Sequence, residues 1–163
     1  MFHGGLLHVV IDRLELPDGE TIVRELVLHP GAAAILPLLS DDRLLLVEQY
    51  RAPLGDSLLE IPAGKLDPGE APLACAKREL LEETGYTAER WTPMSTFVTT
   101  PGFSDEKIHL FLARDLAQIA QRDEREIDRL TVVPLADALH AIRDGAIQDA
   151  KTALAVLSYA QTL

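Results

Sequence analysis

Through the first third of the chain, short runs rich in apolar and β-branched residues are broken by turn residues, a pattern that reads as strands. Residues 6–16, carrying Val9, Val10 and Ile11, lead into the turn Pro17-Asp18-Gly19, and the pattern resumes over 21–29, so the pair predicts a β-hairpin. Pro30-Gly31 interrupts it. Residues 32–39 and 44–49 predict a second strand pair around Ser40-Asp41-Asp42-Arg43. Residues 51–57, with Pro53 and Gly55, read as a loop, and 58–62 as a short strand.

The pattern then changes. Residues 71–84 predict a helix that follows the acidic turn Asp67-Pro68-Gly69-Glu70, where the macrodipole favours negative charge, and stops at Gly85. Residues 91–99 and 107–114 predict strands around a turn at 101–105. Residues 115–128 are polar and mixed in charge. Residues 130–134 read as a strand. A short helix over 135–144 places Leu135, Leu139 and Ile142 at helical spacing and ends at Gly145. A last helix over 150–160 has Asp149 as its N-cap. No repeat or low-complexity tract occurs. Strands, a central helix, more strands and two helices predict an α/β layer arrangement with a mixed sheet.

Composition narrows the class. The chain has 163 residues, of which 47% are hydrophobic and 25% charged, enough for one domain with a real core. The net charge of −11 argues against nucleic-acid binding, which depends on cations that neutralise phosphates, and suits a site that concentrates carboxylates for a divalent metal. A lone cysteine, Cys75, excludes an intrachain disulfide framework and cysteine-rich zinc folds, and reads as a small packed residue. Residues 1–5 are not a basic signal region, and the longest apolar run, 32–39, is too short to span a bilayer. The expectation is a cytoplasmic protein without a membrane partner.

The candidate chemistry lies in residues 64–86. With Glu79 at zero on an ideal helix, Glu83 falls about 40° to one side and Glu82 about 60° to the other. Three carboxylates share one face, with Arg78 on its rim. Leu73, Ala76, Leu80 and Thr84 form the neighbouring stripe expected to be buried. Like charges at i and i+4 destabilise a helix, and clustered carboxylate oxygens are what hard cations bind, so this face points to Mg²⁺ or Mn²⁺ and a phosphate-bearing ligand. A bare E-x-x-E-E would read first as a solvated acidic face.

The surrounding residues reverse that reading. Gly64, Glu70, Arg78, Glu79, Leu80, Glu82, Glu83, Gly85 and Tyr86 match G-x5-E-x7-R-E-U-x-E-E-x-G-U, where U is bulky and apolar. The stretch resembles the Nudix box of the Nudix hydrolases, and the element order is similar to that family's α/β/α sandwich. The resemblance implies that Glu79 and Glu83 are the principal metal ligands and that Glu82 binds metal directly or through water. It implies that Arg78 and Glu70 hold ligand carboxylates in place, and that Gly64 lets the backbone pass close enough for the Ala63 carbonyl to be a ligand. Two or more Mg²⁺ ions, or Mn²⁺, and hydrolysis of a diphosphate bridge follow from it.

The flanks Glu48-Gln49-Tyr50-Arg51, Glu60-Ile61-Pro62-Ala63, Thr100-Pro101-Gly102-Phe103-Ser104-Asp105-Glu106 and His29-Pro30-Gly31-Ala32 are similar to the ADP-ribose pyrophosphatase branch. That likeness implies hydrolysis of ADP-ribose to AMP and ribose 5-phosphate. Arg51, Glu60, Gly102, Phe103 and Glu106 are then the candidate substrate contacts. Another nucleoside diphosphate sugar, or a module that senses ADP-ribose without cleaving it, are the alternatives. The likeness also implies a homodimer in which an N-terminal unit, 1–29, packs on the partner beside the adenine, with 30–163 as the hydrolase domain. The catalytic base is expected on the charged stretch 122–128: Glu126 is the first choice, with Ile127 anchoring it, and Asp128 and Glu106 are the alternates. His3, His8, His29, His109 and His140 are scattered and are expected to be structural or solvated. Trp91 and Tyr50 are expected to pack.

Overall fold

The structure, a computed structural model, describes residues 2–5, 7–40, 42–121 and 127–163. Among these the elements are β1 (Phe2–His3), β2 (His8–Glu15), β3 (Thr21–Leu28), β4 (Ala32–Leu39), β5 (Arg43–Arg51), β6 (Asp56–Glu60), β7 (Ala63–Lys65), α1 (Pro72–Thr84), β8 (Tyr86–Val98), β9 (Lys107–Gln118), β10 (Arg129–Pro134), α2 (Leu135–Arg143) and α3 (Ala150–Ala160).

The centre is β4, whose sequence AAAILPLL is buried almost throughout, as a strand covered on both faces must be. Its alternation sorts the core. Ala32, Ala34 and Leu36 pack with Leu135 and Ala138 of α2 and with Ala155, Val156 and Tyr159 of α3. Ala33 and Ile35 point the other way, onto Cys75, Ala76 and Leu80 of α1. A mixed sheet thus lies between α1 on one face and α2 with α3 on the other, the α/β/α sandwich the sequence suggests.

The main sheet runs β10-β5-β4-β9-β8, antiparallel except where β4 and β9 run parallel from Ala32↔Ile108 to Pro37↔Ala113. On its other edge β4 pairs with β5 only at Leu38 and Leu39, while β7 occupies Ala32–Ala34. Strand β5 diverges to take up β6, from Val47↔Glu60 to Arg51↔Asp56. The fork between β5 and β7 opens the space in which the site lies.

Several expectations change. The N-terminal hairpin is a three-stranded sheet, because Phe2 and His3 pair with Val9 and His8. Helix α1 starts at Pro72 with no acidic residue in its first turn, since Pro72 takes the first helical position and leaves Glu70 outside. Leu73 is 38% exposed, and Cys75 takes a place in the buried stripe that Leu73 was expected to share. Leu73 instead borders a shallow cleft beside Pro93 and Met94. Strand β8 begins directly after the helix, because left-handed Gly85 (φ 76°) turns the chain at once and Tyr86, Thr87 and Ala88 pair with Gln118, Ala117 and Leu116. Strand β9 accordingly runs on past Arg114. Tyr50 is 56% exposed rather than packed, since it lies where β5 extends beyond its pairing with β10. Trp91 packs as expected, its indole N–H donating to the Ala88 carbonyl.

Among the described residues the three-stranded sheet is hydrogen-bonded to the loop before β9. The Val27 N–H donates to the Phe103 carbonyl at 2.7 Å, and the His29 N–H donates to Asp105 Oδ1 at 2.8 Å. Phe2, Ile11, Leu14, Val23 and Leu28 remain exposed on it.

Candidate active site

Helix α1 and strand β7 build the acidic wall. Glu79 is 9% and Glu83 5% exposed, so two carboxylates of one helix face are buried side by side. Each is held against β7. The Ala63 N–H donates to Glu83 Oε2 at 3.0 Å. Glu79 lies so close over Gly64 that a Cβ there would stand 1.9 Å from its carboxyl carbon. Only glycine leaves that room, and its need is steric, since Gly64 is not among the positive-φ glycines.

Arg78 braces the wall. Its guanidinium donates to both oxygens of Glu70 at 3.0 and 2.9 Å, to Glu79 Oε1 at 2.6 Å, to Glu82 Oε2 at 3.1 Å and to the Lys65 carbonyl at 3.1 Å. Glu70 also accepts the Asp67 N–H at 3.0 Å, and the Arg78 hydrogen bonds hold its carboxyl down at about 2. Burial pushes the Glu83 carboxyl up to about 8, and the Glu79 charge adds to this against the opposing Ala63 N–H. Glu82, with its side chain 53% exposed, projects toward solvent. Cys75 is fully buried beneath, its thiol directed at the Gly64 and Lys65 carbonyls and pushed up to about 12 by burial and by Glu70 and Glu79.

Among the described residues no three His, Cys, Asp or Glu side chains stand close enough to cage an ion. Glu79 and Glu82 both turn an oxygen to the same nitrogen of Arg78. The donor set nevertheless fits a hard divalent cation. It offers oxygen only, two of its carboxylates are buried together, and Gly64 leaves room for the Glu79 carboxylate to lie against the backbone of β7.

Opposite this wall lies a basic cluster. Arg51 grips Glu60 through two hydrogen bonds of 2.7 and 2.6 Å, and Glu60, 1% exposed, is also bonded by Lys151 at the start of α3. Burial alone would push the Glu60 carboxyl up; Arg51 and Lys151 outweigh it and hold it below its ordinary value. Lys151 also reaches Asp149 at 3.0 Å. Thr152 ties α3 to the site: its hydroxyl oxygen accepts the Ile61 N–H at 2.8 Å, and its own N–H donates to the N-cap Asp149 at 2.9 Å.

The acidic wall, Arg51, Lys151, His29 and Glu106 border one cleft of about 1040 Å³. Ala63, Glu79, Glu82 and Glu83 line it together. Gly102 and Phe103 are not among its lining residues in this chain; Phe103 is 54% exposed, and its carbonyl instead holds the N-terminal sheet. Glu126 lies outside the described residues. Asp128 sits apart, with its N–H donating to the Glu48 carbonyl and its side chain accepting from Ser57 at 3.3 Å, while Ile127 is buried as expected.

Comparison with known proteins bears on this arrangement. A profile of the NUDIX domain matches residues 28–155. The chain belongs to the Nudix family. It is 43% identical over 159 residues to an ADP-ribose pyrophosphatase of Bacillus subtilis, covering 96% of this chain and 86% of that protein. It is 45% identical over 159 residues to a methanol dehydrogenase activator of Bacillus methanolicus, with the same coverage of 96% and 86%. A solved structure described as an ADP compounds hydrolase superposes with a TM-score of 0.85 over 100% of this chain and 89% of that one, at 24% identity, a likeness of fold.

As a Nudix hydrolase the protein keeps every charged position of the box. What sequence reasoning missed in this Nudix site is Lys151, Thr152 and His29. Lys151 and Thr152 carry no motif, and their partners Glu60 and Ile61 lie 91 positions away. The only local signal was the Asp149 N-cap, which fixes where α3 begins.

Proposed function

We propose that the protein hydrolyses ADP-ribose to AMP and ribose 5-phosphate in the cytoplasm, with Mg²⁺ or Mn²⁺ held by Glu79, Glu82, Glu83 and the Ala63 carbonyl. The observation that carries the reading is the buried Glu79–Glu83 pair over Gly64, facing Arg51 and Lys151 across one cleft. The Bacillus subtilis relative supports the choice of substrate. The Bacillus methanolicus relative is named for an activating role and not for a substrate.

Bound divalent ions would neutralise the diphosphate and acidify the attacking water. The chain's own residues do the rest. Arg78 keeps Glu79 and Glu82 oriented, and Glu70 keeps Arg78 in place. Arg51, fixed by Glu60, presents its remaining N–H groups to phosphate oxygens. The water oxygen adds to one phosphorus, the bridging P–O bond breaks, and the bridging oxygen leaves with the other phosphate. The water proton passes to a carboxylate base, the role we assign to Glu126. Glu106 contacts the substrate from the border of the cleft, while Gly102 and Phe103, on the same loop, lie outside its lining.

The test is release of AMP and ribose 5-phosphate from ADP-ribose with Mg²⁺ or Mn²⁺, run beside GDP- and UDP-sugars. No turnover of ADP-ribose with either metal would refute the reading. Preference for another nucleoside would keep the chemistry and change the substrate, and tight ADP-ribose binding without cleavage would make the protein a sensor. The exposed apolar residues of β1–β3 support a homodimer, with 1–29 as the unit that docks on the partner. Sedimentation velocity at micromolar concentration should show the dimer, and deletion of residues 1–28 should abolish it.

A further inference from the structure

His29 stands at the joint between the N-terminal sheet and the core, and its ring is more constrained than a structural histidine requires. Gly31, at a left-handed φ of 91°, turns its N–H onto His29 Nδ1 at 3.1 Å. A nitrogen that accepts cannot carry the ring proton, so the proton of the neutral imidazole is on Nε2. Nε2 faces Glu106 Oε1 at 3.5 Å, with only 14% of the histidine side chain and 27% of the glutamate side chain exposed. The other oxygen of Glu106 accepts the Thr99 hydroxyl at 2.5 Å. His29, Thr99 and Glu106 all border the cleft that holds the carboxylates of α1.

The same short stretch holds the loop on its other side. The N–H of Val27 bonds Phe103, that of His29 bonds Asp105, and Val27 bridges Ser104. Val27 and His29 therefore hold the loop at residues 103–105, directly before Glu106, while the His29 ring faces Glu106 itself.

We propose that His29 is a positioning residue: its Nε2–H, with the Thr99 hydroxyl, fixes the Glu106 carboxylate over the cleft and makes that position depend on the seating of the N-terminal sheet. The inference rests on the reading that Glu106 contacts substrate. At 3.5 Å the Nε2–Oε1 contact is longer than an ordinary hydrogen bond, and bound substrate on Glu106 is expected to shorten it.

His29→Phe keeps the bulk and removes the donor, and His29→Gln returns an amide donor near the place of Nε2. The expected result is a KM for ADP-ribose raised about tenfold in H29F with kcat within about twofold, as for loss of one hydrogen bond to a charged group. H29Q should recover most of the loss. In an E106A background H29F should add less than about twofold, because coupled neighbours are not additive. Nitrogen-15 NMR should show His29 protonated at Nε2 and bare at Nδ1, with the Nε2 signal displaced by E106A. A wild-type KM in H29F, losses that multiply in the double variant, a proton on Nδ1, or an Nε2 signal indifferent to E106A would each overturn the proposal. The NMR arm needs no turnover. It decides the role of His29 even if H29F fails to fold, and it separates failure of this inference from failure of the ADP-ribose reading.

Discussion

Replacing Gly64 by alanine should separate catalysis from stability. An ideal Cβ at this position stands 1.9 Å from both Cδ and Oε1 of Glu79 and 2.4 Å from Oε2. Carbon contacts settle near roughly 3.5 Å, so the carboxylate must withdraw by about 1.5 Å. The backbone cannot yield instead, because Gly64 is paired with Ala33 inside the sheet. What is lost is the 2.6 Å bond from Arg78, a charged hydrogen bond worth about 1.5–3 kcal/mol when fully buried. The lower end applies, since the Arg78 side chain is 29% exposed and keeps Glu70, Glu82 and the Lys65 carbonyl. Alanine at a φ it tolerates returns about 0.4–1 kcal/mol by restricting the unfolded chain. The net cost is about 1 kcal/mol, or a fall in Tm of roughly 2–4 °C for a domain of this size. Activity should fall far more, by about 100-fold or beyond at limiting Mg²⁺, since even groups that only orient a ligand cost about 10–100-fold. AMP release measured across a Mg²⁺ titration, beside thermal melts, checks both arms. Near-wild-type turnover at low Mg²⁺ would remove Glu79 from the metal site, and a melting point lowered by more than about 10 °C would make Gly64 a structural requirement instead.

Three further outcomes follow from the same geometry. In EDTA, Glu83 holds its proton up to about pH 8 when folded but releases it near 4.5 when unfolded, so apoprotein stability should fall as pH rises through that window; Glu83→Gln should flatten the profile in melts from pH 5 to 8.5, and equal slopes would contradict this. Thr152→Val leaves the buried Ile61 N–H without its acceptor, a loss of about 1–3 kcal/mol that melts should read as a drop of several degrees, with Thr152→Ser close to wild type. The Cys75 thiol, fully buried and pushed up to about 12, should resist a disulfide reagent at pH 8 until the protein is unfolded, and rapid native labelling would place it elsewhere.

Features set by neighbouring residues were legible in the sequence. The box helix, its Gly85 stop and the Asp149 cap are local patterns, and so is the apolar run of β4 that reads as a strand. The shared face of Glu79, Glu82 and Glu83 needs only the helical period. What escaped depends on contacts distant in sequence. Strand β7 is three residues long and exists because Ala32–Ala34 offers it an edge. Strand β8 gains its first residues from pairing with the far end of β9. Leu73 has the right spacing for the core and misses it because the first turn of α1 borders the exposed cleft beside Pro93 and Met94. His29 reads as an isolated ring until the loop carrying Glu106 is folded against it.

Glu60 shows how the site constrains its own descent. One carboxylate, almost wholly enclosed, is shared by Arg51 from β5 and Lys151 from α3. Loss of either cation leaves the nearly dry Glu60 with a single partner, whereas loss of Glu60 leaves Lys151 to Asp149 and the part-exposed Arg51 to solvent, so the carboxylate depends most on the other two. A lineage that loses either cation weakens the pairing of Glu60 but does not abolish it. In an alignment of relatives, a cation at 51 or 151 should therefore accompany an acid at 60, although 60 and 151 lie 91 positions apart in the chain.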